Sequence, residues 1–164
     1  MSGLVRGIAP EPTAMRTVMG HFATGVAVVT AVDGGTPVGM ACNSFSSVSL
    51  DPPLVLFCAA TDSSTWARIR SAGHYCVNFL DDEGEQLCRT FAGKADDRFA
   101  GIGWKQAVTG APVLDAAIAY ADCTIEAIHA AGDHDIVVGR VVELGHREGR
   151  PLLFYRGGYG RYSV

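Results

Sequence analysis

The feature that most constrains this chain is a series of strand-length apolar runs, each stopped by Gly, Pro or Asp. Gly25 opens Val26-Ala27-Val28-Val29-Thr30, Asp33-Gly34-Gly35 turns the chain, and another extended segment starts at Pro37. After the break at Asp51-Pro52-Pro53, Leu54 to Cys58 reads as a strand buried on both faces. Tyr75 to Leu80, Ile136 to Leu144 and Leu152 to Tyr155 are further strands. In Ala119 to Ala130, Ala121, Cys123 and Ile125 alternate with Asp122, Thr124 and Glu126, the pattern of a half-buried strand. Six or seven short strands with few helices predict a closed or nearly closed antiparallel barrel. Twenty glycines fit a fold with many tight turns.

Three helical segments interrupt the strands. Met15, Val18, Met19 and Phe22 sit at i, i+3, i+4 and i+7, so Thr13 to Phe22 reads as an amphipathic helix capped by Thr13. The polar stretch Thr61 to Thr65 leads into a short helix, with Ser64 as its cap, Trp66 and Ile69 as its apolar side and Gly73 at its end. Leu87 and Phe91, one turn apart, mark a third helix, and Gly93 to Gly103 reads as a long surface loop. With no repeat and no linker, residues 13–164 read as one domain behind a flexible segment, 1–12.

Composition excludes several classes. Apolar residues make up 48% and charged residues 18%, too apolar for a disordered chain. The formal charge of −4, from 13 basic against 17 acidic residues, argues against a nucleic-acid partner. No apolar stretch approaches the roughly 20 residues of a membrane helix, and the first twelve residues lack a signal-peptide pattern, so a cytoplasmic protein is expected. Cys42, Cys58, Cys76, Cys88 and Cys123 form no CxxC pair, and the five histidines form neither HxxxH nor HExxH, so no metal site is expected. Phosphate-loop, GxSxG and GxGxxG motifs are absent.

Three segments could converge on one site: the Ser-rich stretch Ala41 to Ser47, the loop Ala59 to Thr65, and Phe91 to Lys94. They offer hydroxyls, backbone N–H groups and a lysine charge, a set suited to a phosphate and a flat, hydrogen-bonding ring. The plain alternatives are a solvated edge strand, a helix cap and a surface charge. Gly132-Asp133-His134-Asp135 reads as a turn, or as a loop tip that presents His134 to a ligand.

The runs Phe22 to Thr30, Asn43-Ser44-Phe45-Ser46-Ser47-Val48-Ser49-Leu50-Asp51-Pro52-Pro53-Leu54-Val55-Leu56, and Gly132-Asp133-His134 resemble the short-chain flavin reductase family, the reductase components of two-component flavin-dependent monooxygenases. The resemblance covers about Met15 to Tyr159. It implies a mainly β fold, a six- to seven-stranded antiparallel split β-barrel (Greek key) with a few short flanking helices, usually a homodimer. It also implies NAD(P)H-dependent reduction of FMN or FAD, with NADH or NADPH as donor and a separate monooxygenase receiving the reduced flavin. By the same resemblance, Ala41, Cys42, Asn43, Ser44 and Phe45 line the isoalloxazine ring. Ser47, Cys58, Ala59, Ala60, Ser63, Ser64 and Thr65 contact ribityl and phosphate, with Phe91 and Lys94 nearby. His134, the one catalytic assignment, and Tyr159 meet the nicotinamide, with His134 positioning its amide. A non-catalytic flavin- or haem-binding split-barrel protein is the alternative reading.

Overall fold

The computed structural model describes residues 3–4 and 6–163. Of the N-terminal segment 1–12, residues 1, 2 and 5 lie outside the described residues. The first helix, α1, spans Pro12–Met19. It starts one residue before the expected Thr13, because Pro12 fits the first helical position, where a missing N–H costs nothing. Its cap is Glu11, without a side-chain bond. The apolar stripe is present but uncovered: Met15, Val18, Met19 and Phe22 are 47–79% exposed. Periodicity predicts the face, and among the described residues it stays largely uncovered.

A two-residue strand, β1 (Thr24–Gly25), precedes β2 (Ala27–Asp33) and β3 (Thr36–Cys42). Gly34 and Gly35 join β2 to β3 with φ of 56° and 83°, the left-handed pair that a two-residue hairpin needs. β4 (Ser46–Leu50) and β5 (Pro53–Ala60) follow, then helix α2 (Ser64–Ala72), β6 (His74–Leu80) and α3 (Glu85–Ala92). A small hairpin, β7 (Trp104–Gln106) with β8 (Pro112–Leu114), lies beyond the loop after α3. The long strands β9 (Ala117–Ala131) and β10 (His134–His146) come next, then β11 (Leu152–Tyr155) and β12 (Gly158–Arg161).

Seven strands form one antiparallel sheet in the order β3-β2-β6-β9-β10-β5-β4. Its two edges, β3 and β4, are consecutive in the chain and only Asn43, Ser44 and Phe45 separate them. Four Cα steps reach at most about 15 Å, so the sheet has to curl until its edges nearly meet. That is a split barrel, and it explains the Ser-rich stretch: it runs along both edges, where polar side chains are tolerated. At the gap, the Ser44 hydroxyl accepts from the Cys58 N–H (2.9 Å) and donates to the Cys58 carbonyl (3.1 Å), so a side chain extends the ladder past the end of β4. A second sheet, β1-β11-β12, was not foreseen as such; β7, β8 and β12 are too short and too Gly-rich to stand out by pattern.

Two expectations about burial and one about a helix cap need correction. β5 is not buried on both faces: Val55, Phe57 and Ala59 point into the core, while Leu54, Leu56, Cys58 and Ala60 are half-buried. Its continuous apolar run concealed an ordinary alternation, because the second face is only partly covered. Asp122 does not face solvent but is fully buried, and both its oxygens are satisfied by Thr109 (N–H 2.8 Å, hydroxyl 2.6 Å). Ser63, not Ser64, caps α2, accepting from the Trp66 N–H at 3.2 Å.

β2 divides the core. Ala27, Val29 and Ala31 join Phe57, Trp66, Ile69, Tyr75 and Val137 inside the barrel. Val26 and Val28 face a second cluster with Leu80, Cys88, Phe91, Phe99 and Leu114. Gly139 is needed on β10 because a Cβ there would run into the Tyr75 ring and hydroxyl. Asn78 ties β8 to the barrel, accepting from the Leu114 N–H at 2.8 Å and donating toward the Pro112 and Val28 carbonyls at 3.2 Å.

Candidate functional site

A cleft of about 970 Å³ lies between the outer edge of β3, the first turn of α2, and α3 with its following loop. Glycine creates one wall. A Cβ on Gly39 would come within 2.8 Å of the Phe91 ring, so only a bare backbone lets α3 lie this close to β3. The second wall is the start of α2. Ser63 caps it, and the N–H groups of Ser64 and Thr65 belong to the first turn, where no intrahelical acceptor exists. Such a turn favours an anion.

The third wall holds cations. Lys94 is exposed on the loop after α3. Arg98, half-buried, reaches back across the cleft: its Nη1 donates to the Gly39 carbonyl (2.8 Å) and to the Thr65 hydroxyl (3.3 Å). Arg68 stands at the rim, held by Asp33 at 2.9 Å. Asp62, Asp96 and Asp97 complete the polar lining.

Of the residues expected at the site, this cleft brings together Ala41, Ser63, Ser64, Thr65, Phe91 and Lys94. Cys42, Asn43 and Phe45 line a different cavity of about 500 Å³, mostly apolar, together with Phe22, Phe79 and Leu152. Ser44 spends its hydroxyl on Cys58. Ser47 is exposed on β4, opposite Val55. Ala59 turns its side chain into the core, and Cys58 and Ala60 face the other way, half-buried. The Cys42 thiol is pushed up to about 12 by burial, so it stays protonated at neutral pH and is no nucleophile.

His134 and Tyr159 do not line the cleft. Gly132 (φ 68°) and Asp133 make the two-residue turn between β9 and β10, and His134 is the first residue of β10. The His134 ring is half-exposed, with Nδ1 2.7 Å from Asp133 Oδ1. A carboxylate only accepts, so Nδ1 carries the hydrogen and Nε2 faces away from the pair. The same hydrogen bond holds the Asp133 carboxyl below the usual carboxylate range. The tip is tied to the α2 loop through Thr61, whose N–H (3.0 Å) and hydroxyl (3.2 Å) donate to the Asp133 carbonyl. Tyr159 packs into the same apolar cluster as Phe91 and Ala41, with its hydroxyl 3.3 Å from Cys88 Sγ and the Arg89 guanidinium 4.9 Å from its ring centre. The hydrogen bond with Cys88, aided by burial, pushes its phenol up to about 12.

Two further residues shape the site. Asp135, 7% exposed, accepts from the Trp66 indole N–H at 2.9 Å and so fixes the first turn of α2 to β10. Arg98 braces β3 against α2. Neither role can be read from the sequence, because both residues act across elements far apart in the chain. The arrangement lacks a metal-binding cluster among the described residues. It offers a deep polar cleft with an anion-favouring end and apolar surface beside it, dimensions that suit a nucleotide-like ligand with a flat ring.

The comparisons with known proteins agree with that geometry. Residues 19–163 match the Flavin reductase like domain. The chain is 48% identical, over 158 residues, to the reductase subunit HsaB of a flavin-dependent monooxygenase from Rhodococcus jostii, covering 96% of this chain and 81% of that one. It is 42% identical, over 150 residues, to an FMN reductase (NADH) of Agrobacterium fabrum, covering 90% and 84%. Among solved structures, the NADH:FAD oxidoreductase of Streptomyces globisporus in complex with NAD and FAD fragments superposes with a TM-score of 0.91 at 35% identity, over 97% of this chain and 98% of that one.

Proposed function

The chain belongs to the flavin reductase family, and from that premise we propose that it catalyses NAD(P)H-dependent reduction of FMN or FAD and supplies reduced flavin to a separate monooxygenase component. The observation that carries the reading is the cleft itself: an anion-favouring helix turn and cations at one end, and at the other Ala41, from which β3 runs on to the apolar cavity of Cys42, Asn43 and Phe45. The residues fit a flavin nucleotide, with its phosphate toward Ser63, Ser64, Thr65 and Lys94, and its ring toward Ala41 to Phe45. Ser47 and the Cys58 to Ala60 end of β5 border the ribityl side.

The bound coenzymes supply hydride transfer from nicotinamide to flavin, which needs no protein base. The chain's own task is to bind, to orient the two rings and to stabilise charge. Backbone N–H groups of the Asn43–Ser44 stretch would stabilise the negative charge that a bound flavin gains on reduction. His134, its ring held at Nδ1 by the Asp133 carboxylate, would position the nicotinamide amide. Tyr159, its hydroxyl 3.3 Å from Cys88 Sγ, is the second residue proposed to meet the nicotinamide.

The homodimer belongs to the same proposal. Leu50 is 92% exposed, Leu144 70% and Phe22 79%, and the apolar stripe of α1 is bare; a second copy would cover such surface. We also propose that residues 13–164 act as one domain, and that the protein works in the cytoplasm. No helix among the described residues is long and apolar enough to cross a membrane. The reading is tested by crossing FMN and FAD with NADH and NADPH and following the nicotinamide band. Flavin-dependent turnover is expected; tight flavin binding without nicotinamide consumption would favour a non-catalytic carrier.

A further inference from the structure

We propose that Arg98 is the principal cation for the flavin phosphate, ahead of Lys94; the inference rests on the flavin reading above. Lys94 stands exposed on its loop, and among the described residues its ammonium has no hydrogen bond or ion pair to hold it. Fixing such a side chain on a ligand costs conformational entropy. Arg98 has already lost that freedom. Its Nη1 spends both hydrogens on the Gly39 carbonyl and the Thr65 hydroxyl. Nε and Nη2 keep three N–H donors, in the planar fork that matches phosphate oxygens.

Charge points the same way. Arg98 forms no ion pair among the described residues, although Asp62, Asp96 and Asp97 line the same cleft. Asp97 instead accepts from the Phe99 N–H at 3.0 Å. A half-buried guanidinium without a carboxylate partner is left for an anion. It also lies against the first turn of α2, since Thr65, its acceptor, is in that turn. Two favourable sources, the helix end and the fixed fork, therefore meet at one place. The bond to Gly39 connects this to the sequence: the bare backbone at 39 admits Phe91 and leaves its carbonyl open to Arg98.

The test compares FMN with riboflavin, which lacks the phosphate, by quenching of flavin fluorescence on titration with wild-type protein, R98Q and K94A. Glutamine keeps an amide donor for Gly39 and removes the charge, and circular dichroism checks that the variant folds. R98Q is expected to weaken FMN by about 10- to 100-fold, the loss of charged hydrogen bonds, and to leave riboflavin within about threefold. K94A is expected to lose less. Equal losses for FMN and riboflavin in R98Q, or a larger FMN loss in K94A, would overturn the inference while leaving the flavin reading intact. Wild-type protein that quenches neither ligand would overturn both.

Discussion

Removing the Asp135 carboxylate isolates how much the first turn of α2 owes to a single contact. Asp135 Oδ2 accepts from the Trp66 indole at 2.9 Å, and both residues are almost fully buried, 7% and 2% exposed. A hydrogen bond to a charged acceptor contributes about 1.5–3 kcal/mol, and leaving the buried indole N–H unpaired accounts for part of the same loss, so the two do not add. Arg70, 3.9 Å away and 60% exposed, adds less than about 1 kcal/mol. Asp135→Ala is therefore expected to lower unfolding free energy by about 2–3 kcal/mol. Because Trp66 also donates its backbone N–H to the Ser63 cap, the flavin KM should rise while kcat changes little. Asp135→Asn keeps an acceptor oxygen and should recover more than half of both losses. Urea unfolding at fixed protein concentration, paired with steady-state kinetics, reads both quantities. An Asp135→Ala protein within about 0.5 kcal/mol of wild type, with an unchanged flavin KM, would refute the reasoning.

Gly39→Ala puts a methyl 2.8 Å from the Phe91 ring and should cost about 1–3 kcal/mol through forced repacking; thermal melts check this, and an unchanged melting temperature would mean that α3 yields freely. Asp122 is raised above the ordinary carboxylate range, chiefly by burial. Its contribution is thus fully present below its unfolded value, near about pH 4, and is lost as pH rises through the folded value. The stability of Asp122→Asn relative to wild type should therefore improve from pH 4 to pH 7 in denaturant titrations. A variant that loses ground as pH rises would contradict the assignment.

Much of the barrel was legible because β-branched runs and Gly-Gly or Pro-Pro breaks encode strands and turns locally. Tyr75 to Leu80 forms where its composition says, and of Val26 to Thr30 all but Val26 lie in β2. The alternation of β5 is hidden in sequence because Leu54 and Leu56 are as apolar as Val55 and Phe57, and only the packing shows which face is half-covered. The Ser-rich stretch was recognisable as odd, but its reason, two sheet edges joined by three residues, exists only in three dimensions. At the site, Ser63 to Thr65, Phe91 and Lys94 could be gathered because each sits beside a helix signal. Arg98 could not: it follows an acidic pair in a loop, and its role depends on that loop folding back onto Gly39. Asp135 stood in plain view beside His134, but its partner Trp66 lies on another element.

The most direct test of the account is an anaerobic titration of the protein and excess flavin with NADH or NADPH, following the flavin and nicotinamide bands together. The account expects one flavin to bleach for each nicotinamide oxidised, at a rate that depends on the protein. No protein-dependent bleaching with any of the four flavin and nicotinamide combinations would contradict it.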